Sequence, residues 1–305
     1  MKKAIALLLF SALLCGATCL AESPAEADPE ALWARIDGST ATIPLSEALF
    51  MRLSGQGQQA AVDHVKHNKT PIAYENLIEQ ETHAGEAVKD LIFVTPPSEE
   101  ELEYAALSGV ELELIPIAKD AIVFLNNRLN SVEGLTAGQI REIYTGQIGN
   151  WADVGGNDAS IIPFRRQLNS GSETLFRQVV LDGLTPMNTP TYWLMQEMGE
   201  MIDQVASYDN APKSIGYSVY YYVHAMYGNE NIRMMAVDGV LPTHETIAAG
   251  AYPFCSYYYA VVRRDLPEHD PLRALVAWLL TDEGQALVRD AGYVPLRPLP
   301  DEEVD

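Results

Sequence analysis

The alternation of short apolar runs with amphipathic stretches restricts the fold of this chain more than any other sequence feature. Asp90–Thr95 (DLIFVT) is an apolar run that two prolines end, a pattern typical of a buried strand. Ser98–Ser108 follows with an acidic first turn, Ser98 as its predicted N-cap and Glu101 in capping-box position. Because strands that alternate with helices usually form crossover units, the sequence predicts an α/β fold with mostly parallel sheets flanked by helices.

The same patterns predict further elements along the chain. The predicted helices are Leu45–Leu53, Thr136–Tyr144, Ser170–Leu181 and Leu272–Val288. The predicted strands are Leu112–Ile117, Ala121–Leu125, Ile161–Phe164, Ile215–Tyr222 and Tyr257–Val262. The charged pair Lys119-Asp120 separates the first two of these strands.

The charge balance excludes some partners. The chain has 42 Asp and Glu against 20 Lys and Arg, which gives a formal net charge of -22. Such a surface repels nucleic acid and keeps copies of the chain apart, so we expect no nucleic-acid partner and a monomer. The charge does not exclude an anionic ligand, because backbone N–H groups can form a local anion pocket in an acidic protein.

The N-terminus has the three-part pattern of a secretory signal peptide. Two lysines precede the apolar run Ala4–Leu14, and small residues then lead to Ala21. We therefore predict a signal peptide over residues 1–21, a flexible leader over 22–30 and an exported protein. A short transmembrane anchor is the alternative interpretation of the apolar run.

The cysteines leave one question open. Cys15 or Cys19 could carry a lipid anchor, although the residues before each fit a lipoprotein signal poorly. Cys255 is the only cysteine after this region, which excludes an intramolecular disulfide and a cysteine-based zinc site in the body of the protein.

Two segments are candidate anion sites. In Asp37–Leu45 (DGSTATIPL), a glycine and three hydroxyl residues precede a predicted helix, so amide and hydroxyl donors gather at a helix start. In Arg166–Phe176 (RQLNSGSETLF), small donors again precede a helix, and Arg166 adds a planar fork for an oxyanion. Each segment alone is also compatible with a helix cap that holds no ligand.

Other motifs favour simpler interpretations. His64 and His67 are more typical of a solvated polar face than of a metal site, and Tyr220–Tyr222 is more typical of strand packing than of a sugar- or base-stacking surface. A hydrolase that uses Ser170 lacks a recognisable histidine and acid partner in the sequence.

Five segments together resemble the substrate-binding proteins of phosphate ABC transporters, in particular a lipoprotein-like branch of Gram-positive bacteria. They are DGSTATIPL, TAGQIREIYTGQIGNWADVGG, RQLNSGSETLF, SIGYSVYYY and EGQALVRDAGYVPL, and the resemblance runs from about Asp37 to Leu296. It implies a two-lobed periplasmic-binding-protein fold of the second type with the ligand in the cleft. Lobe 1 would comprise residues 31–117 and 236–305, and lobe 2 the insertion 118–235, with crossovers at Pro116–Asp120 and near Met235–Asp238.

The resemblance also implies a set of ligand-binding residues. From lobe 1 these are Ser39, Thr40, the backbone of Ala41 and, as the best match for a further hydroxyl, Thr70. From lobe 2 they are Arg166, Ser170, Gly171 and Ser172.

Thr95 marks a departure from part of the family. Enterobacterial members carry an aspartate after the strand that matches Asp90–Val94, and this aspartate accepts a hydrogen bond from protonated phosphate. A threonine hydroxyl can donate or accept, so Thr95 would discriminate less between phosphate and other tetrahedral oxyanions.

The expected function is therefore capture of inorganic phosphate outside the cytoplasm and its delivery to ABC permease subunits, without catalysis, cofactor or metal. The alternatives are another oxyanion as ligand (sulfate, molybdate or an organophosphate) and a cell-surface sensory module that uses the same fold without transport.

Overall fold

The computed structural model describes residues 28–80 and 87–300. The predicted signal peptide, Cys15 and Cys19 lie outside the described residues, so their roles stay predictions. No helix within the described ranges is both long and apolar enough to cross a membrane.

Helices and strands alternate as the sequence predicts. The helices are α1 (Pro29–Ala34), α2 (Ile43–Ser54), α3 (Gln58–His64), α4 (Thr70–Glu79), α5 (Glu99–Leu107), α6 (Ala137–Tyr144), α7 (Gly171–Leu175), α8 (Met198–Ala206), α9 (His244–Ala248), α10 (Pro271–Leu279) and α11 (Asp282–Asp290). The strands are β1 (Ile36–Gly38), β2 (Leu91–Val94), β3 (Leu112–Asn127), β4 (Gly134–Leu135), β5 (Ile162–Pro163), β6 (Arg165–Arg166), β7 (Leu194–Met195), β8 (Ser214–Val219), β9 (Ile232–Met234), β10 (Ala236–Val237) and β11 (Cys255–Arg263).

The predicted helix caps are confirmed. The Ser98 side chain accepts from the Glu101 amide, and the Glu101 carboxylate accepts in return from the Ser98 amide. Thr136 and Gln139 form the same reciprocal box at the start of α6. Each box satisfies two amides that a helix start otherwise leaves without partners.

The central sheet is mixed, which corrects the expectation of mostly parallel strands. Its order is β1-β2-β11-β3-β8-β5, with β9 also paired to β3. Only the β1–β2 and β5–β8 pairs in this sheet are parallel, whereas the β11 and β3 pairings are antiparallel. The physical reason is that the long strand β3 pairs with strands distant in sequence that run back alongside it, and alternation along the chain does not reveal such pairs.

Strand β3 is continuous where the sequence predicted two strands. Its first part pairs with β11 and its second part with β8. Asp120 interrupts the apolar pattern but not the strand, because its buried carboxylate accepts the amide protons of Ala121 (2.8 Å) and Tyr221 (3.2 Å). Burial raises the pKa of Asp120 to about 6.

The predicted helix Leu272–Val288 is two helices, α10 and α11. The Thr281 hydroxyl donates to the Trp278 carbonyl (2.7 Å) and accepts from the Gly284 amide (3.2 Å), so it closes α10 and caps α11. The prediction was wrong because the apolar periodicity continues across this junction.

The predicted lobe limits remain an expectation. Residues 116–120, the first predicted crossover, lie inside β3. At the second, β10 pairs with β4, so contacts with the predicted insertion continue beyond residue 235.

Gly284 is the most confined glycine at the junction of α10 and α11. A Cβ there would lie against the backbone of Trp278 and 2.5 Å from Leu279 Cα. We expect Gly284→Ala to destabilise the protein by about 1–3 kcal/mol, because backbone cannot yield as a flexible side chain does. The same change at exposed Gly138 in α6, where the nearest atom would be 3.7 Å away, should stabilise by about 0.5–1 kcal/mol. Urea denaturation measures both variants, and equal midpoints would contradict the packing at this junction.

Candidate functional site

One cavity of about 220 Å³ gathers all the candidate residues of the sequence analysis. Its lining includes Ser39, Thr40, Ala41, Thr70, Thr95, Arg166, Ser170, Gly171 and Ser172. The remaining lining residues are Lys69, Pro71, Gln167, Leu168, Gln196, Glu197, Met198, Val219 and Tyr222. Tyr222 belongs to the run Tyr220–Tyr222, for which strand packing was expected, but β8 ends at Val219 and the run follows it.

The Ser39 loop forms one wall. The Ser39 amide extends the β1–β2 pairing by donating to the Phe93 carbonyl (2.9 Å). A short 3₁₀ turn, Thr40–Thr42, follows, and the first amides of such a turn have no partner within it. The Tyr293 hydroxyl donates to the Ala41 carbonyl (2.7 Å) and so fixes this turn from the C-terminal part of the chain.

Asp37 joins this loop to the segment before α4. Its buried carboxylate accepts the amide protons of Gly38 (2.7 Å) and Asn68 (2.8 Å). It also accepts from the side-chain amides of Asn68 (2.9 Å) and Asn76 (3.0 Å). These bonds hold the Ser39 loop and the Thr70 segment in a fixed relation.

His67 lies behind the Ser39 loop, so the expected solvated face is wrong for this residue. Its Nδ1 is 3.0 Å from the Ser39 carbonyl oxygen, and because a carbonyl only accepts, Nδ1 carries the proton. Burial lowers the pKa of His67, so the neutral ring is favoured. His64 stacks on Phe50, and no cluster of three or more potential metal ligands exists in the described part of the chain.

Thr70 and Thr95 complete this side of the cavity. Thr70 is the first residue of α4, a helix start without a side-chain cap. Thr95 follows β2 and is buried, and its Oγ1 has no hydrogen-bond partner among the described residues. The N-cap of α5 is Ser98, so the Thr95 hydroxyl does not cap that helix.

Strand β6 forms the opposite wall and carries two adjacent arginines, which lie in different surroundings. The guanidinium of Arg165 pairs with the fully buried carboxylate of Glu173, which also accepts from Arg177 (2.8 Å). Successive side chains of a strand point to opposite faces, so Arg166 points away from this pair.

Among the described residues, Arg166 is a buried cation that no protein carboxylate contacts. It is 7% exposed, and its Nε and Nη1 have no partner among the described residues. Burial lowers the pKa of Arg166, because desolvation disfavours the charged form. An anion in contact with the guanidinium would stabilise the charged form again.

Tyr217 fixes the backbone of Arg166. Its hydroxyl donates to Glu173 and accepts the Arg166 amide proton (3.1 Å). The ring stacks on Phe176, with 4.4 Å between centroids, inside an aromatic core that includes Phe124 and Tyr144. Core packing therefore sets the position of the cavity arginine.

The start of α7 supplies the small residues of the second wall. The Ser170 hydroxyl accepts the Glu173 amide proton (3.4 Å), which makes Ser170 the N-cap. Ser172 is 4% exposed, and its Oγ has no partner in the described part of the chain. Three side chains of the cavity thus hold unpaired buried polar atoms: Thr95, Arg166 and Ser172.

The two walls meet closely at Gly171. A Cβ on Gly171 would lie against the Thr95 hydroxyl and 2.8 Å from Thr70 Oγ1. Two other contacts cross between the walls: the ion pair Lys69–Glu197 (2.6 Å) and the bond from Gln178 Nε2 to the Pro97 carbonyl (2.8 Å). The cavity is therefore enclosed between two sides that touch.

Sequence reasoning missed the residues that act from outside the motifs. Lys69 stands beside the predicted Thr70, which was the only signal for it. Glu197 becomes a neighbour of the motifs only through folding. Tyr217 lies within the segment SIGYSVYYY, but only folding brings its hydroxyl to the Arg166 amide.

The arrangement suits a small oxyanion. A guanidinium fork, hydroxyls and helix-start amides are donors for oxyanion oxygens, and together they surround a space from two sides. Hydroxyl oxygens can also accept a proton from a partly protonated anion.

The fold and this cavity define a ligand-binding protein with two sides around a cleft. The sequence profile of a PBP superfamily domain matches residues 34–283. The chain belongs to this periplasmic-binding-protein (PBP) superfamily.

Individual relatives agree with this membership. The phosphate-binding protein PstS of Bacillus subtilis is 23% identical over 192 residues, which are 62% of this chain and 60% of that protein. The protein of the same name from Borreliella burgdorferi is 22% identical over 267 residues, 86% of this chain and 89% of that protein.

Solved structures also share the fold. A phosphate ABC transporter substrate-binding protein from Clostridium perfringens, solved with bound phosphate, has a TM-score of 0.65 and 25% identity, and the match covers 86% of this chain and 98% of that one. An ABC-type phosphate transport receptor from Vibrio cholerae has a TM-score of 0.62 and 21% identity, with coverage of 85% and 98%. The family resemblance and the α/β periplasmic-binding-protein fold expected from the sequence are confirmed, whereas the expected strand directions differ.

The contact at Gly171 makes a prediction for ligand binding. The added methyl group of Gly171→Ala would clash with the hydroxyls of Thr95 and Thr70. Because separation of the two walls relieves this clash, the substitution would move α7 away from the opposite wall. We expect anion affinity to fall about tenfold or more, while thermal stability changes little. Gly149→Ala is the matched control, because a Cβ at Gly149 would meet nothing within 4 Å. Calorimetric titration measures both variants, and equal affinities would contradict the close approach of the walls.

Proposed function

We propose that this protein captures inorganic phosphate outside the cytoplasm and delivers it to the permease of an ABC transporter. The observation that carries the proposal is the buried guanidinium of Arg166, whose Nε and Nη1 have no partner among residues 28–80 and 87–300, in a cavity where the Thr95 and Ser172 hydroxyls also lack partners in these ranges. The relatives named as phosphate-binding proteins and the neighbour solved with bound phosphate support the choice of ligand.

The proposed ligand shell uses both walls. Ser39, Thr40, the Ala41 amide, Thr70 and Thr95 would contact the anion from one side. Arg166, Ser170, Gly171 and Ser172 would contact it from the other. Contacts from both sides would favour the closed form, which is the form that would dock on the permease.

Location, assembly and chemistry complete the proposal. We propose export after cleavage near Ala21, a monomer, and no resident metal or cofactor. Catalysis is not part of this function: the Ser170 hydroxyl caps α7, and none of the described cavity-lining residues is a histidine that could activate it. Attachment through a lipid on Cys15 or Cys19 stays open to a mass measurement of the exported form.

The proposal is tested by titrating the protein with phosphate after any bound ligand has been removed. The same titration is then made with Arg166→Ala. Charge-assisted hydrogen bonds contribute about 1.5–3 kcal/mol each, so loss of the fork should weaken binding at least about tenfold. Arg264→Ala removes the same charge from an exposed arginine paired with Glu111 at 3.4 Å, and it should bind as the unmodified protein does. Unchanged affinity in Arg166→Ala would remove Arg166 from the site.

Thr95 provides the test of selectivity. If its hydroxyl both donates and accepts, phosphate affinity should vary little between about pH 6 and pH 8, where phosphate changes from monoanion to dianion. Thr95→Asp should raise the preference for phosphate over sulfate, because an ionised carboxylate only accepts and needs a ligand that carries a proton. Thr95→Ser keeps the hydroxyl and is the control. A phosphate-to-sulfate affinity ratio that stays the same in Thr95→Asp would show that Thr95 does not touch the ligand.

A further inference from the structure

Lys69 has a backbone conformation that side chains rarely adopt. Its φ of 72° and ψ of 158° lie in a region that almost only glycine occupies. Such a conformation persists where the surrounding structure imposes it, and it often marks a functional position. Here it immediately precedes Thr70 at the edge of the cavity.

The side chain of Lys69 reaches across the cleft to Glu197. Its Nζ is 2.6 Å from Glu197 Oε1, although the two residues are 128 positions apart in the chain. Glu197 is the N-cap of α8 on the opposite wall. Both side chains are more than half exposed, at 57% and 58%, so the pair lies at the mouth of the cavity.

Glu197 also lines the cavity, where its negative charge disfavours an anion. The Glu197 carboxylate is close enough to Arg166 to raise the pKa of its guanidinium, which opposes the lowering caused by burial. Without Lys69, the carboxylate would repel a bound dianion across the cavity mouth. The structure places a compensating cation, Lys69, beside this carboxylate where the two walls meet.

We propose that Lys69 is a positioning residue for anion binding, which acts by neutralising Glu197 across the closed cleft rather than by contact with the anion. Closure and charge compensation are then one event, since the ion pair needs both walls in place. This inference rests on the proposed function, because it assumes that the cavity binds phosphate.

A double-mutant cycle tests this proposal by phosphate titration at low ionic strength. The variants are Lys69→Met, Glu197→Gln and the double variant, and Glu197→Gln keeps an oxygen that can cap α8. We expect Lys69→Met to weaken phosphate binding, and the loss to be smaller by about threefold or more in the Glu197→Gln background. Lys66→Met is the control: it removes an equal charge three residues away, from a side chain that donates to the Val62 carbonyl and does not line the cavity.

Two further variants separate charge from backbone strain. Lys69→Arg keeps the cation and should retain most of the affinity. Lys69→Gly relieves the backbone strain but lacks the cation, and it should bind as weakly as Lys69→Met. Wild-type affinity in Lys69→Gly would assign the role to the backbone and overturn the proposal.

The outcomes distinguish this inference from the proposed function. Phosphate binding by the unmodified protein with an equal Lys69→Met loss in both backgrounds would show direct contact with the anion, and would overturn the inference alone. An unchanged affinity in Lys69→Met would do the same. Absence of phosphate binding by the unmodified protein would overturn the proposed function and the inference together.

Discussion

The carboxylate of Glu173 determines which of two adjacent arginines carries the unpaired positive charge of the cavity. It is fully buried and pairs with Arg165, while Nε and Nη1 of the neighbouring Arg166, on the other face of β6, have no partner in the part of the protein that the structure describes. Tyr217 connects the two, because its hydroxyl donates to Glu173 and accepts the Arg166 amide proton. Burial of a charge without a partner costs free energy, so this arrangement favours the binding of an anion beside Arg166.

The buried guanidinium of Arg166 explains how a strongly acidic protein can bind an anion. The net charge of -22 is spread over the chain, whereas the cavity contains Arg166, Lys69 and the amides of helix starts. Hydrogen bonds and charges act over a few ångströms inside a buried site, while exposed charges farther than about 10 Å are screened by salt. The overall charge thus governs which large partners are excluded, and the cavity governs which small ligand is bound.

Much of the site could be predicted from the sequence, because its donors lie in two short motifs at helix starts. The residues alone made Ser39–Ala41 and Ser170–Ser172 candidate anion sites, the family resemblance implied that they share one ligand, and both line the same cavity. The position of Thr95 came from the family resemblance, since a threonine after a strand carries no signal of its own. Lys69 and Glu197 could not be paired from the sequence, because only the folded chain brings residues 128 positions apart into contact. The same limit applies to the fold: β3 continues through Asp120, whose strand partner Ser256 and hydrogen-bond donor Tyr221 are both distant in sequence.

The crystal structure of the protein with phosphate tests the central claim most directly. We predict that phosphate oxygens lie within hydrogen-bond distance of the Arg166 guanidinium, Ser172 Oγ and Thr95 Oγ1, the cavity side chains whose buried polar atoms lack partners in the described part of the chain. The Arg165–Glu173 pair should remain intact beside the occupied cavity. Phosphate bound elsewhere, or a cavity in which Arg166 turns to a protein carboxylate instead of the anion, would contradict this account.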